Sequence, residues 1–330
     1  MEKLFKPLLN ICLLFFVFTF FSLISFAQNK PLPTEPTKEE TKQADLSIVK
    51  FDANRAFEHV RKQVEFGPHW AGSVGIKHVR NYLVNQLSSY NLSIKQDIFQ
   101  AQTPNPRFPM VEMVNLIVEI PGKKDDIVII SSHYDSKWFA DEHFVGANDG
   151  GSSTGALVEL ARVLSKSKPE YTLWLVFFDG EEAINGVWQG TDHTYGSTHL
   201  VNKLRAEGKL HSIKAMILLD MIGDNNLTVR RDGNSTGWLK DIIWSTAAEL
   251  GYNKHFLNEP EDIEDDHIPF LQAGIPSVDI IDFDYGEDNE FWHTEADTLD
   301  KINPESLKIV GETILKSLPK VFIHLDKIHR

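Results

Sequence analysis

Cysteine is almost absent from this sequence of 330 residues: Cys12 is the only one, and it lies in the apolar segment at the start of the chain. The chain after that segment therefore has no disulfide, no thiolate metal ligand and no cysteine nucleophile. Its stability has to come from a hydrophobic core, with a bound metal as a further contribution. Any zinc site has to use histidine and carboxylate ligands.

Basic residues are also scarce, with 33 Lys and Arg against 47 Asp and Glu, which gives a formal net charge of −14. Residues 1–27 carry only Glu2, Lys3 and Lys6, a net charge of +1, so the rest of the chain carries −15. This balance excludes nucleic acid and an anionic membrane surface as natural partners. It favours basic or neutral peptides instead.

The chain contains neither internal repeats nor a linker between two globular domains. Residues 1–27 have Lys3 and Lys6, an apolar stretch and a Ser25-Phe26-Ala27 cleavage pattern, which predict a signal peptide and an exported, periplasmic or secreted protein. The alternative is an uncleaved membrane anchor, because the apolar stretch is long. Residues 28–45, rich in Pro, Thr, Lys and Glu, are predicted to be a disordered spacer. Residues 46–330 form the predicted catalytic domain; the sequence does not indicate its oligomeric state.

Hydrophobic periodicity predicts an α/β fold of one domain, with a mixed, mostly parallel central sheet and helices on both faces. A first helix is expected to run to residue 64 with Asp52 as its N-cap, a second helix at 75–90, and an antiparallel strand pair at 92–100 and 111–120. From residue 126 onward strands and helices alternate. The expected strands are 127–131, 172–178, 213–219 and 277–281, and the expected helices are 155–164, 195–205, 237–250 and 304–324. Residues 223–234 are predicted to be a surface loop.

The strand predicted at 172–178 ends abruptly in Asp179, Gly180, Glu181 and Glu182. In open α/β sheets, binding crevices lie at the carboxyl ends of the strands. Because adjacent carboxylates repel one another, they are expected to share a proton or a cation. One of the two glutamates is therefore expected to bind a metal while its neighbour acts as a base. A solvated acidic turn is the alternative for this segment alone.

Further polar side chains follow other predicted strands: His133, Asp149, Asp220, Asp265 and His293. A parallel sheet brings the carboxyl ends of its strands together at one edge, so these side chains can meet. Nitrogen and oxygen donors of this kind suit Zn²⁺ with an open coordination position. Each residue alone could be a core histidine, a cap or a surface group; their joint occurrence after strand ends favours a site.

These segments resemble the zinc aminopeptidase-like superfamily, and within it the animal-type glutaminyl-peptide cyclotransferases, which also occur in bacteria. The resemblance covers residues 52–330. The segments that carry it, in chain order, are HYDSK at 133–137, GANDGG at 146–151, FFDGEEA at 177–183, YGS at 195–197, LLDMIG at 218–223, DDHIPFL at 265–271 and WHT at 292–294.

The resemblance implies a role for each matching residue. Asp149, Glu182 and His293 would bind one zinc ion. Glu181 would be the general acid/base, beside an acidic pair of Asp220 and Asp265. Trp292, Trp188 and His133 are assigned to the substrate pocket, with His133 at a position that binds a second metal in the aminopeptidases. The implied reaction converts the N-terminal glutamine of peptides or proteins to pyroglutamate and releases ammonia.

The sequence departs from the family pattern in two places. The segment between Glu182 and Tyr195 is one residue longer than expected, which affects the assignment of Trp188. Ser132 stands where animal cyclases have a disulfide cysteine. The stretch HTEADTLDKI at 293–302 matches the aminopeptidases equally well.

The main rival function is a two-zinc aminopeptidase in which His133 and Asp220 hold the second ion and Glu181 activates water. Asp265 before Asp266-His267, and Trp292 before His293, favour the cyclase. A non-catalytic binding domain on the same fold would require loss of a metal ligand or of Glu181. All three expected ligands and Glu181 are present in the sequence.

Overall fold

Six strands form the central sheet of the structure, a computed structural model that describes residues 50–141 and 143–328. The predicted signal peptide and spacer lie outside the described residues. Together with a separate two-stranded sheet, the described residues contain eight strands. These are β1 (Ile94–Gln102), β2 (Met110–Ile120), β3 (Lys124–His133), β4 (Tyr171–Phe178), β5 (Ile213–Asp220), β6 (Val229–Asp232), β7 (Phe256–Glu261) and β8 (Ser277–Ile281). In the described ranges no helix is long and apolar enough to cross a membrane.

Helices flank the sheet, and their starts follow local capping chemistry. They are α1 (Ala53–Glu65), α2 (Val74–Ser89), α3 (Gly151–Leu164), α4 (Tyr195–Ala206), α5 (Gly237–Glu249), α6 (His267–Gln272) and α7 (Pro304–Ile328). The Asp52 carboxylate accepts hydrogen bonds from the N–H groups of Asn54 and Arg55, at 3.0 and 3.2 Å. This confirms Asp52 as the predicted N-cap of the first helix.

The sheet order is β1-β2-β4-β3-β5-β8. The β1–β2 and β2–β4 pairs are antiparallel, and the β3–β4, β3–β5 and β5–β8 pairs are parallel. The predicted mixed, mostly parallel sheet with an antiparallel pair at one edge is therefore confirmed. Parallel strands are covered on both faces, which explains why β4 and β5 are apolar along nearly their whole length.

Successive residues of β3 enter two different cores. Val128 and Ile130 pack into the larger core, with α1, α2, α3, α5 and α7. Ile127 and Ile129 pack into the smaller core on the other face, which α4 and α6 cover. This alternation follows from the two-residue period of a strand. It confirms that helices cover both faces.

The predicted surface loop at 223–234 is wrong in part. It contains β6, which pairs in parallel with β7 in a separate two-stranded sheet. Val229 of β6 is fully buried. A four-residue strand with two arginines has too little apolar alternation to be recognised, and the prediction also missed β7 and the short helix α6.

The carboxyl ends of the parallel strands meet at one edge of the sheet. His133 is the last residue of β3 and pairs with Phe178, the last residue of β4. Asp220 is the last residue of β5, and Ile281 pairs with it from β8. The polar segments that follow these strands therefore start side by side, as the sequence predicted.

Candidate metal centre and active site

The turn after β4 holds the two glutamates in a fixed position. Gly180 has a φ of +73°, and a Cβ there would lie 2.4 Å from the sulfur of Met113, so this position requires glycine. The N–H groups of Glu181 and Glu182 donate to the two carboxylate oxygens of Asp135, at 3.1 and 3.2 Å. One buried carboxylate thus orients both glutamates.

A second turn, before α3, holds Asp149 in a comparable way. Gly150 has a φ of +73°, and a Cβ there would lie 2.8 Å from Cε1 of His133. The N–H groups of Asn148 and Asp149 donate to the two oxygens of Asp297, at 2.8 and 3.1 Å. The backbone of Asp149 is therefore tied to a residue that lies far away in the sequence.

Asp149, Glu182 and His293 converge into one group that could hold a metal ion. Their ligand atoms all lie within 4.8 Å of one another. Nε2 of His293 is 3.1 Å from Oε1 of Glu182 and 3.3 Å from Oδ2 of Asp149. Oδ2 of Asp149 is buried and has no hydrogen-bond partner in the described residues, which is unfavourable without a bound cation. Two carboxylates, one imidazole and an open side fit a catalytic zinc site.

The electrostatics of this group also suit a cation. Burial opposes a charge on His293, but the neighbouring Glu182 and Asp149 carboxylates raise its pKa to about 9. Burial likewise opposes ionisation of Asp149 and Glu182. Hydrogen bonds from His133 and His293 nevertheless keep the pKa of Asp149 below its ordinary value, and the charges of His293 and Lys137 do the same for Glu182. Without metal, His293 is therefore expected to be protonated and to neutralise these acids. Metal binding would displace that proton.

The other oxygen of Glu182 has a separate partner. Nζ of Lys137 lies 3.0 Å from Oε2 of Glu182, and the Lys137 side chain is buried. Lys137 therefore directs one oxygen away from the group and leaves Oε1 for a metal.

The backbone at His293 is strained in a way often seen at functional sites. His293 has a φ of +55°, which is uncommon for a residue with a Cβ. The ring of Trp292 stacks on the imidazole of His293 with a centroid distance of 3.9 Å and an interplanar angle of 23°. The ring of Phe144 meets the same imidazole edge-on, with a distance of 6.0 Å between the ring centroids. These rings hold the imidazole toward the carboxylates.

A second possible metal group consists of His133, Asp149 and Asp220. Nε2 of His133 is 3.1 Å from Oδ1 of Asp220 and 3.3 Å from Oδ1 of Asp149. Asp149 therefore directs one oxygen to each group. His133 is only 1% exposed and its Nδ1 lies 3.1 Å from the carbonyl oxygen of Asp135, so it lies behind the acidic residues and not in contact with the cavity. A direct contact of His133 with substrate thus has no support from the geometry.

The other predicted site residues line one cavity with a volume of about 390 Å³. It is lined by Asp149, Glu181, Glu182, Trp188, Asp220, Asp265, Trp292 and His293. Apolar side chains, including Phe283 and Ile263, complete its wall. The ring of Phe283 meets that of Trp292 edge-on, at 4.9 Å. A small cavity with apolar walls and an acidic floor is suited to a short side chain that carries a polar end.

The acids on the floor of this cavity hold protons more tightly than usual. Burial raises the pKa of Glu181 well above its ordinary value, against the effect of His133 and with the help of the Asp265 carboxylate. Burial also raises the pKa of Asp265 well above normal, and the negative charge of Asp220 adds to this. The pKa of Asp220 is raised by burial as well, although His133 opposes the shift. Carboxyls tuned in this way are suited to proton transfer near neutral pH.

Three residues that support the site had no predicted role. Asp135 orients Glu181 and Glu182, Asp297 orients Asp149, and Lys137 binds Glu182. Asp135 and Lys137 follow His133 closely, and an acidic or basic residue just after a strand end could have suggested a role for each. For Asp297 the sequence carries no such signal, because its partner lies far away in the chain.

Comparison with known proteins gives consistent results. Residues 115–318 match Peptidase family M28. The chain is 30% identical to a glutaminyl-peptide cyclotransferase from Bos taurus over 79% of this chain and 78% of that protein. The crystal structure of an Acidobacteriales bacterium glutaminyl cyclase is similar with a TM-score of 0.78 and 37% identity, over 89% of this chain and 99% of the other. A Zn-dependent exopeptidase from Parabacteroides distasonis is also similar, with a TM-score of 0.72 and 27% identity over 82% and 99% of the two chains.

Proposed function

The chain belongs to Peptidase family M28 and, within it, to the glutaminyl-peptide cyclotransferases; we propose that it converts the N-terminal glutamine of peptides and proteins to pyroglutamate, with release of ammonia. The observation that carries this proposal is the cavity of about 390 Å³, in which the ionisable Glu181 and Asp265 face two tryptophans and a group of metal ligands. Such a cavity admits one folded side chain together with its own amine.

We assign Asp149, Glu182 and His293 to a single zinc ion. When bound there, zinc supplies Lewis-acid polarisation of the γ-amide carbonyl and stabilises the charge that develops on its oxygen. Lys137 keeps Glu182 oriented for this role, through the contact at 3.0 Å to the oxygen that does not face His293.

Glu181 acts as the general acid/base of the proposed reaction. The α-amine nitrogen attacks the γ-carbonyl carbon of the same residue, a C–N bond forms, and the bond from that carbon to the amide nitrogen breaks. Glu181 accepts the proton that the amine loses and delivers it to the departing nitrogen, which leaves as ammonia. Burial raises the pKa of Glu181, so its carboxyl holds a proton more readily than an exposed glutamate does, as a group that accepts and then donates a proton requires.

Asp220 and Asp265 orient the amine. Because the negative charge of Asp220 raises the pKa of Asp265, the pair is expected to share one proton and to keep one negative charge. Oδ1 of Asp220 is fixed by the N–H of Met221 at 2.9 Å and lies 3.1 Å from His133. The Asp265 carboxyl remains available at the cavity surface to contact the amine.

The aromatic wall supplies proximity. Trp292 and Trp188 line the cavity from two sides and restrict the glutamine side chain to conformations folded toward its own amine. Because the reaction is intramolecular, holding this conformation removes much of its entropic cost.

One observation favours a second candidate function, a two-zinc aminopeptidase. The group of His133, Asp149 and Asp220 could hold another ion beside the first, and a Zn-dependent exopeptidase is among the similar structures. In that enzyme Glu181 would activate water instead of an amine. We favour the cyclase with one ion, because Trp292 stacks on His293 and lines the cavity beside the three proposed ligands.

Mass spectrometry of a short peptide with N-terminal glutamine, incubated with the zinc-loaded protein, tests this proposal. We expect the peptide to lose one ammonia and to keep its full length. Release of free glutamine would identify an aminopeptidase and would reassign His133 and Asp220 as ligands of a second zinc. We further propose that residues 1–27 direct export, so that the substrates are periplasmic or extracellular; detection of the protein in cell fractions checks this.

A further inference from the structure

A second cavity lies beside the catalytic one and has no role in the mechanism above. Its volume is about 720 Å³, nearly twice that of the catalytic cavity. Four segments contribute to it: residues 99–102 of β1, the loop 188–194, one side of α4, and α6 with the two acidic residues at 264–265. Here it is called the outer groove.

The outer groove adjoins the catalytic cavity directly. Trp188, Glu264 and Asp265 line both of them. The ring of Trp188 stacks on that of His193, which lines the outer groove only, at a centroid distance of 4.1 Å and an angle of 12°. A peptide whose first residue occupies the catalytic cavity therefore has a path past Trp188 and Glu264 into the outer groove.

Carboxylates dominate the charges along this path, apart from His293 in the proposed metal group. Among the described residues that line the two cavities there are seven carboxylates and neither Lys nor Arg. Glu264 is exposed, and no ion pair to it is found in the described part of the chain. His199 does not offset its charge, because its Nε2 lies 3.4 Å from Asp97 and its ring stacks on Phe99.

His193 does not supply a compensating cation either. Burial lowers its pKa from the ordinary value, although the Glu264 carboxylate opposes that shift. Its imidazole is therefore neutral near pH 7 and serves as the flat support of Trp188. Glu264 remains the uncompensated charge at the junction of the two cavities.

From these observations we infer that the outer groove binds the residues that follow the N-terminal glutamine, and that Glu264 selects peptides with a basic side chain at the second or third position. This inference rests on the proposed function, because it requires the first residue to occupy the catalytic cavity. The groove has room for several residues of an extended peptide. An exposed ion pair at its entrance would favour basic peptides modestly, by about twofold to fivefold.

The test uses tetrapeptide amides with N-terminal glutamine that carry either arginine or its neutral analogue citrulline at position 2 or 3. Gln-Ala-amide, which is too short to extend along the outer groove, is the reference substrate. We expect kcat/KM to be about twofold to fivefold higher for the arginine peptide at one of these positions at low ionic strength. The preference should shrink at high salt, because exposed charges are screened. Equal values for arginine and citrulline at both positions would overturn the charge selection.

Two variants and one control variant connect this preference to the outer groove. Glu264→Gln should abolish the preference for arginine. Asp125→Asn, which removes an exposed carboxylate at the amino-terminal end of β3, should leave it intact. Thr198→Trp places a large side chain at an exposed position of the groove on α4. It should lower kcat/KM for the tetrapeptides and spare Gln-Ala-amide.

The outcomes separate the two proposals. If no substrate is cyclised by the zinc-loaded protein, including Gln-Ala-amide, the proposed function is wrong. If all peptides are cyclised but Thr198→Trp slows none of them, or slows Gln-Ala-amide equally, the outer groove is not the path of the substrate.

Discussion

Two buried glutamates, Glu159 in α3 and Glu181 after β4, show how differently one side chain can be used in this protein. The Glu159 carboxylate accepts hydrogen bonds from Arg162 Nε at 2.7 Å and from the N–H of Asp52 at 2.8 Å. In the described part of the chain no arginine pairs with the Glu181 carboxylate; Nδ1 of His133 lies 3.9 Å away. Burial raises the pKa of Glu181, and its carboxyl faces the catalytic cavity.

Both carboxylates are buried, so burial alone does not identify a functional carboxylate. A buried acid paired with arginine and backbone donors is stabilised as a charged group and joins helices together. A buried acid without these donors, at the surface of a cavity, is costly for stability but ready to exchange a proton. The same contrast applies to the histidine pair His133 and His293 and to the neighbouring Asp265 and Asp266.

The largest effect should come from exchanging the two glutamates for glutamine. Glu181→Gln should lower kcat by about 10²- to 10⁴-fold, because the general acid/base is lost, while zinc content and stability are kept. Glu159→Gln should do the reverse: it keeps kcat but lowers the free energy of unfolding by about 1–3 kcal/mol, because Arg162 loses a charged partner. Ammonia release and urea denaturation measure the two quantities.

Loss of zinc from Glu181→Gln would contradict the assignment, since it would make Glu181 a ligand. A large loss of kcat in folded Glu159→Gln would show that α3 contributes to catalysis in a way that the contacts of Glu159 do not explain.

The two histidines should differ in zinc binding. His293→Ala is expected to weaken zinc binding by more than about 100-fold, because a direct ligand is removed. His133→Ala should keep one zinc per chain, because His133 belongs to the second group only. Elemental analysis after dialysis against a weak chelator gives the stoichiometry. Two zinc ions in the unmodified protein and one in His133→Ala would favour the aminopeptidase.

The neighbouring aspartates should differ in activity. Asp265 lines the catalytic cavity, whereas Asp266 is fully buried and its two oxygens lack hydrogen-bond partners in the described residues. Asp265→Asn should lower kcat/KM by about 100-fold, because the amine loses its charged partner. Asp266→Asn should change it by less than about threefold, because Asp266 does not line the catalytic cavity. Near-normal cyclisation by Asp265→Asn would count against the acidic pair.

The smallest effect concerns the pH dependence of stability. Burial raises the pKa of Asp266 to about 7, so the folded protein holds this proton more tightly than the unfolded chain does. The resulting stability is fully present below the unfolded pKa of about 4 and is lost as the pH rises to about 7. Asp266→Asn removes this titrating group. Over this pH range the unfolding free energy of the variant should therefore fall less steeply than that of the unmodified protein, and the two slopes should differ by at most about 1.4 kcal/mol per pH unit. Parallel pH slopes in both proteins would show that Asp266 stays ionised.

The strands of the central sheet, most helices and the order of the polar segments could be predicted from sequence because their signals are local. Asp52 caps α1 as predicted, and β4 runs into Glu181 and Glu182 as the apolar run indicated. The assignments of the ligands and of Glu181 depended on the resemblance to a known family, and their roles stay predictions until tested. Short elements such as β6 and α6 were missed because a few residues carry little periodicity.

The α/β sheet, and the acids and histidines that follow its strands, can be predicted from sequence, since hydrophobic alternation and strand ends are properties of neighbouring residues. The position of His133 behind the cavity, the contact of Asp297 with Asp149 and the outer groove beside the site are visible only in the tertiary structure. These features join segments that are far apart in the chain. They depend on which side chains the fold buries together, and no spacing along the chain encodes that.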